Sequence, residues 1–216
     1  DILFLNKYQG KFRKDEFILI SLAMPFTDDE MKIEKFKNRY RLFIESITYL
    51  INKMKLKYKI KFKYLIFDKK TDMFVIESLK NNGSISIGDE YVFADTVSIL
   101  DTYSSAVASI SMRFHSLLLS ILTKVPTLSI SYAPKSHELL CEYSLEEVSI
   151  KYGIRDSEFY NLEFEIDENQ LDDGVDYLFE NRDLIIQKIE KANDDMKIKT
   201  ELGFNLLSDL LWKKGR

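Results

Sequence analysis

Residues 106–132 read AVASISMRFHSLLLSILTKVPTLSISY, and three changes of rhythm within them decide the fold. Ala106 to Ser111 is a short run of small apolar and hydroxyl residues. Arg113 to Lys124 carries its apolar side chains at helical period, and Pro126 to Tyr132 is apolar again. Strand, helix, strand in that order predicts a mostly parallel sheet, because parallel neighbours need a crossover of helical length and right-handed sense.

Outward from this stretch the alternation continues. Glu16 to Ala23 is a bounded apolar run ending near Pro25, which predicts a buried strand. Phe36, Tyr40, Phe43, Ile44, Ile47, Leu50, Ile51 and Met54 recur at helical spacing and predict a long amphipathic helix over about 34–55. A strand near Ile60 to Phe67 and a helix from Thr71 to Asn82 follow, the latter stopped by Gly83. A short strand is expected near Ile85, then a helix over 96–103 capped by Asp95. Beyond Pro134 the chain reads as helical and acidic, and Leu171 to Trp212 keeps helical spacing with Gly174 and Gly203 as possible breaks. The expected architecture is an α/β, Rossmann-like sheet of five or six mostly parallel strands with helices on both faces.

Composition narrows the function. A chain of 216 residues with 45% hydrophobic content can bury a core without disulfides or metals. A net charge of −4 argues against a general affinity for nucleic acid. Cys141 is the single cysteine, and the spacing of His115 and His137 matches no zinc pattern, so no metal and no cofactor are expected. The apolar run Leu117 to Leu122 falls far short of the ~20 residues of a spanning helix. No signal peptide is visible, which predicts a cytoplasmic protein, and the absent initiator methionine suggests a fragment of a longer chain.

Charge is unevenly distributed. Lys53 to Lys70 holds eight lysines against the single acid Asp68, and Lys57, Lys59, Lys61 and Lys63 alternate with apolar residues as on one side of a strand. They read as a solvated strand entrance that discourages edge pairing, or alternatively as a peripheral contact with an anionic membrane, where each lysine adds roughly 1 kcal/mol. Glu138 to Asp183 reverses the balance, with fifteen acids and three bases, and reads as an acidic helical surface.

Chemistry is expected where strands end and helices begin, since helix amino ends present unpaired N–H groups beyond the sheet. Ser111 is a plausible cap for the helix opened by Met112-Arg113-Phe114-His115. Cations in a first helical turn break the usual preference for acids, and the break is repeated at Pro134-Lys135-Ser136-His137. Arg113, His115 and Lys135 are therefore candidates for one anion-binding cleft. Arginine supplies a planar fork, lysine a point charge, and histidine a proton carrier near neutral pH. His115 and His137 equally fit a hydrogen bond to a loop carbonyl, Tyr132 the core, Asp101 the solvent and Trp212 a packing anchor.

Ile110-Ser111-Met112-Arg113-Phe114-His115-Ser116-Leu117, then Val125-Pro126, then Ile130-Ser131-Tyr132-Ala133-Pro134-Lys135 resembles the most recognisable stretch of the polysaccharide pyruvyl transferases. The resemblance implies a two-domain GT-B architecture in which 1–15 is a linker remnant, 16–180 the Rossmann-like donor-binding domain and 181–216 a helical segment that packs on it or toward an absent amino-terminal domain. It implies pyruvate transfer from phosphoenolpyruvate to two hydroxyls of a glycan or lipid-linked sugar acceptor, forming a ketal and releasing phosphate. By position Arg113, Phe114, His115, Tyr132 and Lys135 would bind substrate, with Arg113 and His115 in the chemistry. Two positions depart from the family pattern: Leu22-Ala23-Met24 stands where an arginine often ends the first strand, and Ala133 stands for the usual aspartate. A sugar-nucleotide enzyme of GT-B type and a non-catalytic module in surface-glycan assembly are the competing readings, and the isolated chain is expected to be inactive.

Overall fold

A computed structural model describes residues 16–86, 88–93, 99–153 and 166–214. Six strands form one sheet: β1 (Phe17–Ser21), β2 (Lys61–Ile66), β3 (Glu90–Phe93), β4 (Ala108–Ser111), β5 (Thr127–Ser131) and β6 (Ser149–Lys151). Their order is β3-β2-β1-β4-β5-β6, and every neighbouring pair is parallel. Seven helices join and follow them: α1 (Glu34–Tyr58), α2 (Thr71–Asn81), α3 (Ile99–Ser105), α4 (Phe114–Leu122), α5 (Pro134–Glu142), α6 (Glu168–Glu180) and α7 (Arg182–Lys214). This is the doubly wound, Rossmann-like arrangement expected from the alternation of rhythms. The proposed linker at 1–15 and the Asp95 cap lie outside the described residues, as does the side chain of Trp212.

Side-chain alternation gives the sheet two different faces. Ile18 and Ile20 of β1, Phe62 and Tyr64 of β2, Ile110 of β4, and Leu128 and Ile130 of β5 enter the large core with Phe43, Ile47 and Ile51 of α1. Each such side chain contributes roughly 1.5–3 kcal/mol relative to exposure. On the alternate positions Phe17, Leu19 and Leu65 form a smaller cluster with Tyr103, Ala106 and Val125. Farther along that register the chain places buried Ser109, Ser111, Thr127, Ser129 and Ser131. Helix α4 answers with Ser116 and Ser120. The hydroxyls of Ser109 and Ser120 lie 2.7 Å apart, those of Ser111 and Ser116 2.9 Å, and those of Tyr103 and Ser116 2.6 Å. Small hydroxyl residues let helix and strand approach closely while satisfying one another.

Several elements differ from their sequence reading. No strand forms at Ile85; β3 lies at Glu90–Phe93, because Asp89 folds the preceding loop by accepting the Ser86 N–H at 2.8 Å and the Lys55 ammonium at 2.6 Å. Of the alternating lysines only Lys61 and Lys63 are in a strand; Lys57 belongs to α1 and Lys59 ends that helix in the left-handed region at φ 52°. Strand β2 is interior, between β1 and β3, so its lysines guard no edge. Lys53 pairs with Asp172 and Lys57 with Asp176, which matches part of the basic run to the acidic one, and Lys63 pairs with Glu90 of β3. Strand β6 emerges within the segment read as mostly helical. Helix α7 runs through Gly203, and the break falls at Asn181. Gly174 sits inside α6, where an added Cβ would stand 2.9 Å from a methyl of Leu128, so its role is close approach to the sheet.

Candidate functional site

Strands β1 and β4 are neighbours from which the chain winds outward in opposite directions, and the carboxyl ends of such a pair frame the natural ligand crevice of an open α/β sheet. At this point Leu22, Ala23 and Met24 leave β1, and Met112 and Arg113 leave β4. The Met112 N–H donates to the Ser21 carbonyl at 2.8 Å, and the Ala23 N–H meets the Met112 sulfur at 3.4 Å, so the two chain exits are tied together. Ser21, in register with Ser111, is buried and its hydroxyl has no hydrogen-bond partner among the described residues.

Arg113 is the cap residue of α4, in an extended conformation at φ −80° and ψ 137°. Its guanidinium reaches across the end of β1 to the far junction, where β2 gives way to α2. Nε donates to both carboxylate oxygens of Asp72, at 3.1 and 3.0 Å, and Nη2 donates to Asp72 Oδ1 and, at 3.1 Å, to Thr71 Oγ1. Asp72 is 1% exposed and also accepts the backbone N–H groups of Phe67 and Asp68, at 2.9 and 3.0 Å. Nη1 of Arg113 makes no hydrogen bond among the described residues, and the side chain is 24% exposed. The neighbouring Asp68 carboxyl is held below its ordinary value, first by the N–H of Thr71 and in smaller part by the charge of Arg113. Two carboxylates thus surround the guanidinium on the β2 side, and the fork expected to grip an anion is half occupied within the protein.

The other sequence-predicted residues gather on the β5 side of Arg113. Phe114 and His115 form the first turn of α4; His115 is exposed, makes no hydrogen bond among the described residues, and meets the Phe114 ring edge-on at 6.3 Å. Lys135, exposed in the first turn of α5, places its ammonium 4.6 Å from the centre of the Phe114 ring. That contact brings the heads of α4 and α5 together. Tyr132 is half-buried and packs against the large core. Neither helix has a side-chain cap: Ser111 spends its hydroxyl on Ser116 rather than capping α4, and α5 opens on Ala133 and Pro134. Both amino ends therefore keep backbone N–H groups for a ligand.

His137 stands apart from this group. Its Nδ1 lies 2.9 Å from the Ser149 hydroxyl and its Nε2 3.4 Å from the Cys141 sulfur, so its partner is a strand hydroxyl, not a loop carbonyl. Burial, and then the charge of Lys151, lower its pKa. It borders a cavity of about 530 Å³ along β6, where Glu146, Glu147 and Asp173 outnumber the single cation Lys151. No group of three or more metal-ligating side chains occurs among the described residues. The residue that sequence reading passed over is Asp72. An acid in a first helical turn obeys the usual rule, so only its place at a third strand-to-helix junction marked it.

Comparison with known proteins agrees with the motif. The profile of a family described as polysaccharide pyruvyl transferase matches residues 6–134, more than half of the chain. No curated protein matches. Among solved structures, one described as the glycotransferase of kitacinnamycin is 11% identical with a TM-score of 0.45, over 88% of this chain and 42% of that one.

Proposed function

Because the chain belongs to the polysaccharide pyruvyl transferase family, we propose that the crevice between β1 and β4 receives phosphoenolpyruvate and that pyruvate passes from it to two hydroxyls of a glycan or lipid-linked sugar. The observation that carries this reading is the Lys135–Phe114 contact at 4.6 Å, which gathers Lys135, His115 and the uncapped heads of α4 and α5 beside Arg113. A ligand with a carboxylate and a phosphate fits two helix amino ends and three basic side chains better than a neutral one.

In this reading Nη1 of Arg113 meets one acid group of the donor and Lys135 supports the other. His115 handles the proton: added to the methylene carbon, it turns that carbon into a methyl group and leaves the central carbon open to attack by a sugar hydroxyl. The second hydroxyl then displaces phosphate. Of the two protons released by the hydroxyls, one replaces that delivered to the methyl and the other leaves with phosphate. Electrostatic positioning of this kind accounts for a large share of catalysis in comparable transfers. The reading assigns part of the acceptor surface to a further domain in a GT-B arrangement.

Two measurements test the assignment. Phosphoenolpyruvate is expected to raise the melting temperature of the protein while a sugar nucleotide leaves it unchanged, because only a ligand of the folded state stabilises it. In the full-length enzyme Arg113→Ala and His115→Ala are each expected to slow phosphate release by about 100-fold or more. Stabilisation by the sugar nucleotide alone would point to the competing glycosyltransferase reading, and unchanged turnover in both variants would remove these residues from the site.

A further inference from the structure

We propose that Asp72 is the positioning residue of this site: it anchors the Arg113 guanidinium across the end of β1 and reserves Nη1 for the donor. The inference rests on the donor-site reading above and adds a residue that the motif does not contain.

The geometry carries it. Asp72 comes from the β2–α2 junction and Arg113 from the β4–α4 junction, on either side of β1. Their bond therefore spans the switch point, beside Leu22-Ala23-Met24 at the end of β1. A guanidinium on a flexible stem would lose rotamer freedom on meeting a ligand. Here Nε and Nη2 are already bound to a carboxylate that is 1% exposed, and that carboxylate is fixed in turn by the N–H groups of Phe67 and Asp68 at 2.9 and 3.0 Å. Thr71 adds a second acceptor for Nη2 at 3.1 Å. Every donor on the inner edge of the fork is committed, so the orientation of the remaining edge is set by Asp72 rather than by the ligand. A carboxylate so engaged also cancels much of the charge of Arg113. Anion capture then falls to Lys135 and the helix amino ends, while Arg113 supplies direction.

The test is a double-mutant cycle on phosphate release by the full-length enzyme, with Asp72→Asn, Arg113→Ala and both together. Asp72→Asn is expected to raise KM for phosphoenolpyruvate about tenfold with the acceptor KM unchanged, and the double variant to be no worse than Arg113→Ala alone. Thr71→Val, which removes an outer acceptor and leaves no buried charge, is expected to raise the donor KM several-fold and carries the test should Asp72→Asn fail to fold. An unchanged donor KM in the variant that folds, or effects that multiply in the double variant, overturns the positioning role. If instead Arg113→Ala leaves donor KM and turnover as they were, it is the donor-site reading that fails.

Discussion

At Arg113 the proposed donor contact falls on a side chain that also ties the fold together. Removing its buried partner leaves an uncompensated charge, and breaking such pairs is costly, so the Asp72–Arg113 bond is also a structural tie between the β2 and β4 ends of the sheet. His137 offers a separate check through pH. Its folded pKa is depressed below the ordinary 6.5, so the unfolded chain takes up the proton first. The stability that neutral His137 provides is complete above about pH 6.5 and declines as the pH falls toward the folded value. Denaturation between about pH 7.5 and 5 is expected to show this loss, and His137→Gln to reduce it. Arg113, His115 and Lys135 were legible in the sequence because cations at helix starts violate a local preference. Asp72 was not, because it violates nothing and meets Arg113 only through a contact 41 residues away in the chain.

Among the elements, the β4–α4 pair shows how composition shapes packing. Ser116 lies between Ser111 and Tyr103; its loss strands the buried Tyr103 hydroxyl and leaves Ser111 only its weaker contact with Thr127 at 3.3 Å and that with Ser109 at 3.5 Å. Ser116→Ala is expected to lower stability by about 1–3 kcal/mol in urea unfolding, well above the effect of a typical exposed serine. Ser120→Ala serves as a comparison, since it leaves the Ser109 hydroxyl only its 3.5 Å contact with Ser111. Helices α1 and α2 and strands β1, β2, β4 and β5 were readable because each carries a long or sharply bounded apolar pattern. Strand β6 is three residues long, from Ser149 to Lys151, and follows a short 3-10 turn, so its pattern is too brief to separate from a helix. The alternating lysines misled for a related reason: a helix that ends at Tyr58 and a strand that begins at Lys61 are joined by a left-handed Lys59, and the sequence shows one uninterrupted rhythm across all three.

For the whole molecule, the winding order places Arg113. Six parallel strands in the order β3-β2-β1-β4-β5-β6 leave one point where the chain reverses its direction of travel across the sheet, and Arg113 stands there. No described helix is long and apolar enough to cross a membrane, and several of the lysines that suggested a membrane surface are instead paired with carboxylates of the same chain. In the proposed site, basic side chains from two successive helix heads meet one small ligand with two anionic groups at this point. A crystal structure of the full-length protein soaked with phosphoenolpyruvate tests it most directly. The ligand is expected beyond the carboxyl end of β4, at the mouth of the β1–β4 crevice and against the heads of α4 and α5, within hydrogen-bonding distance of Arg113 Nη1 and near His115 and Lys135. Phosphoenolpyruvate bound elsewhere in the molecule, with the heads of both helices unaltered and Arg113 still committed only to Asp72 and Thr71, would contradict it.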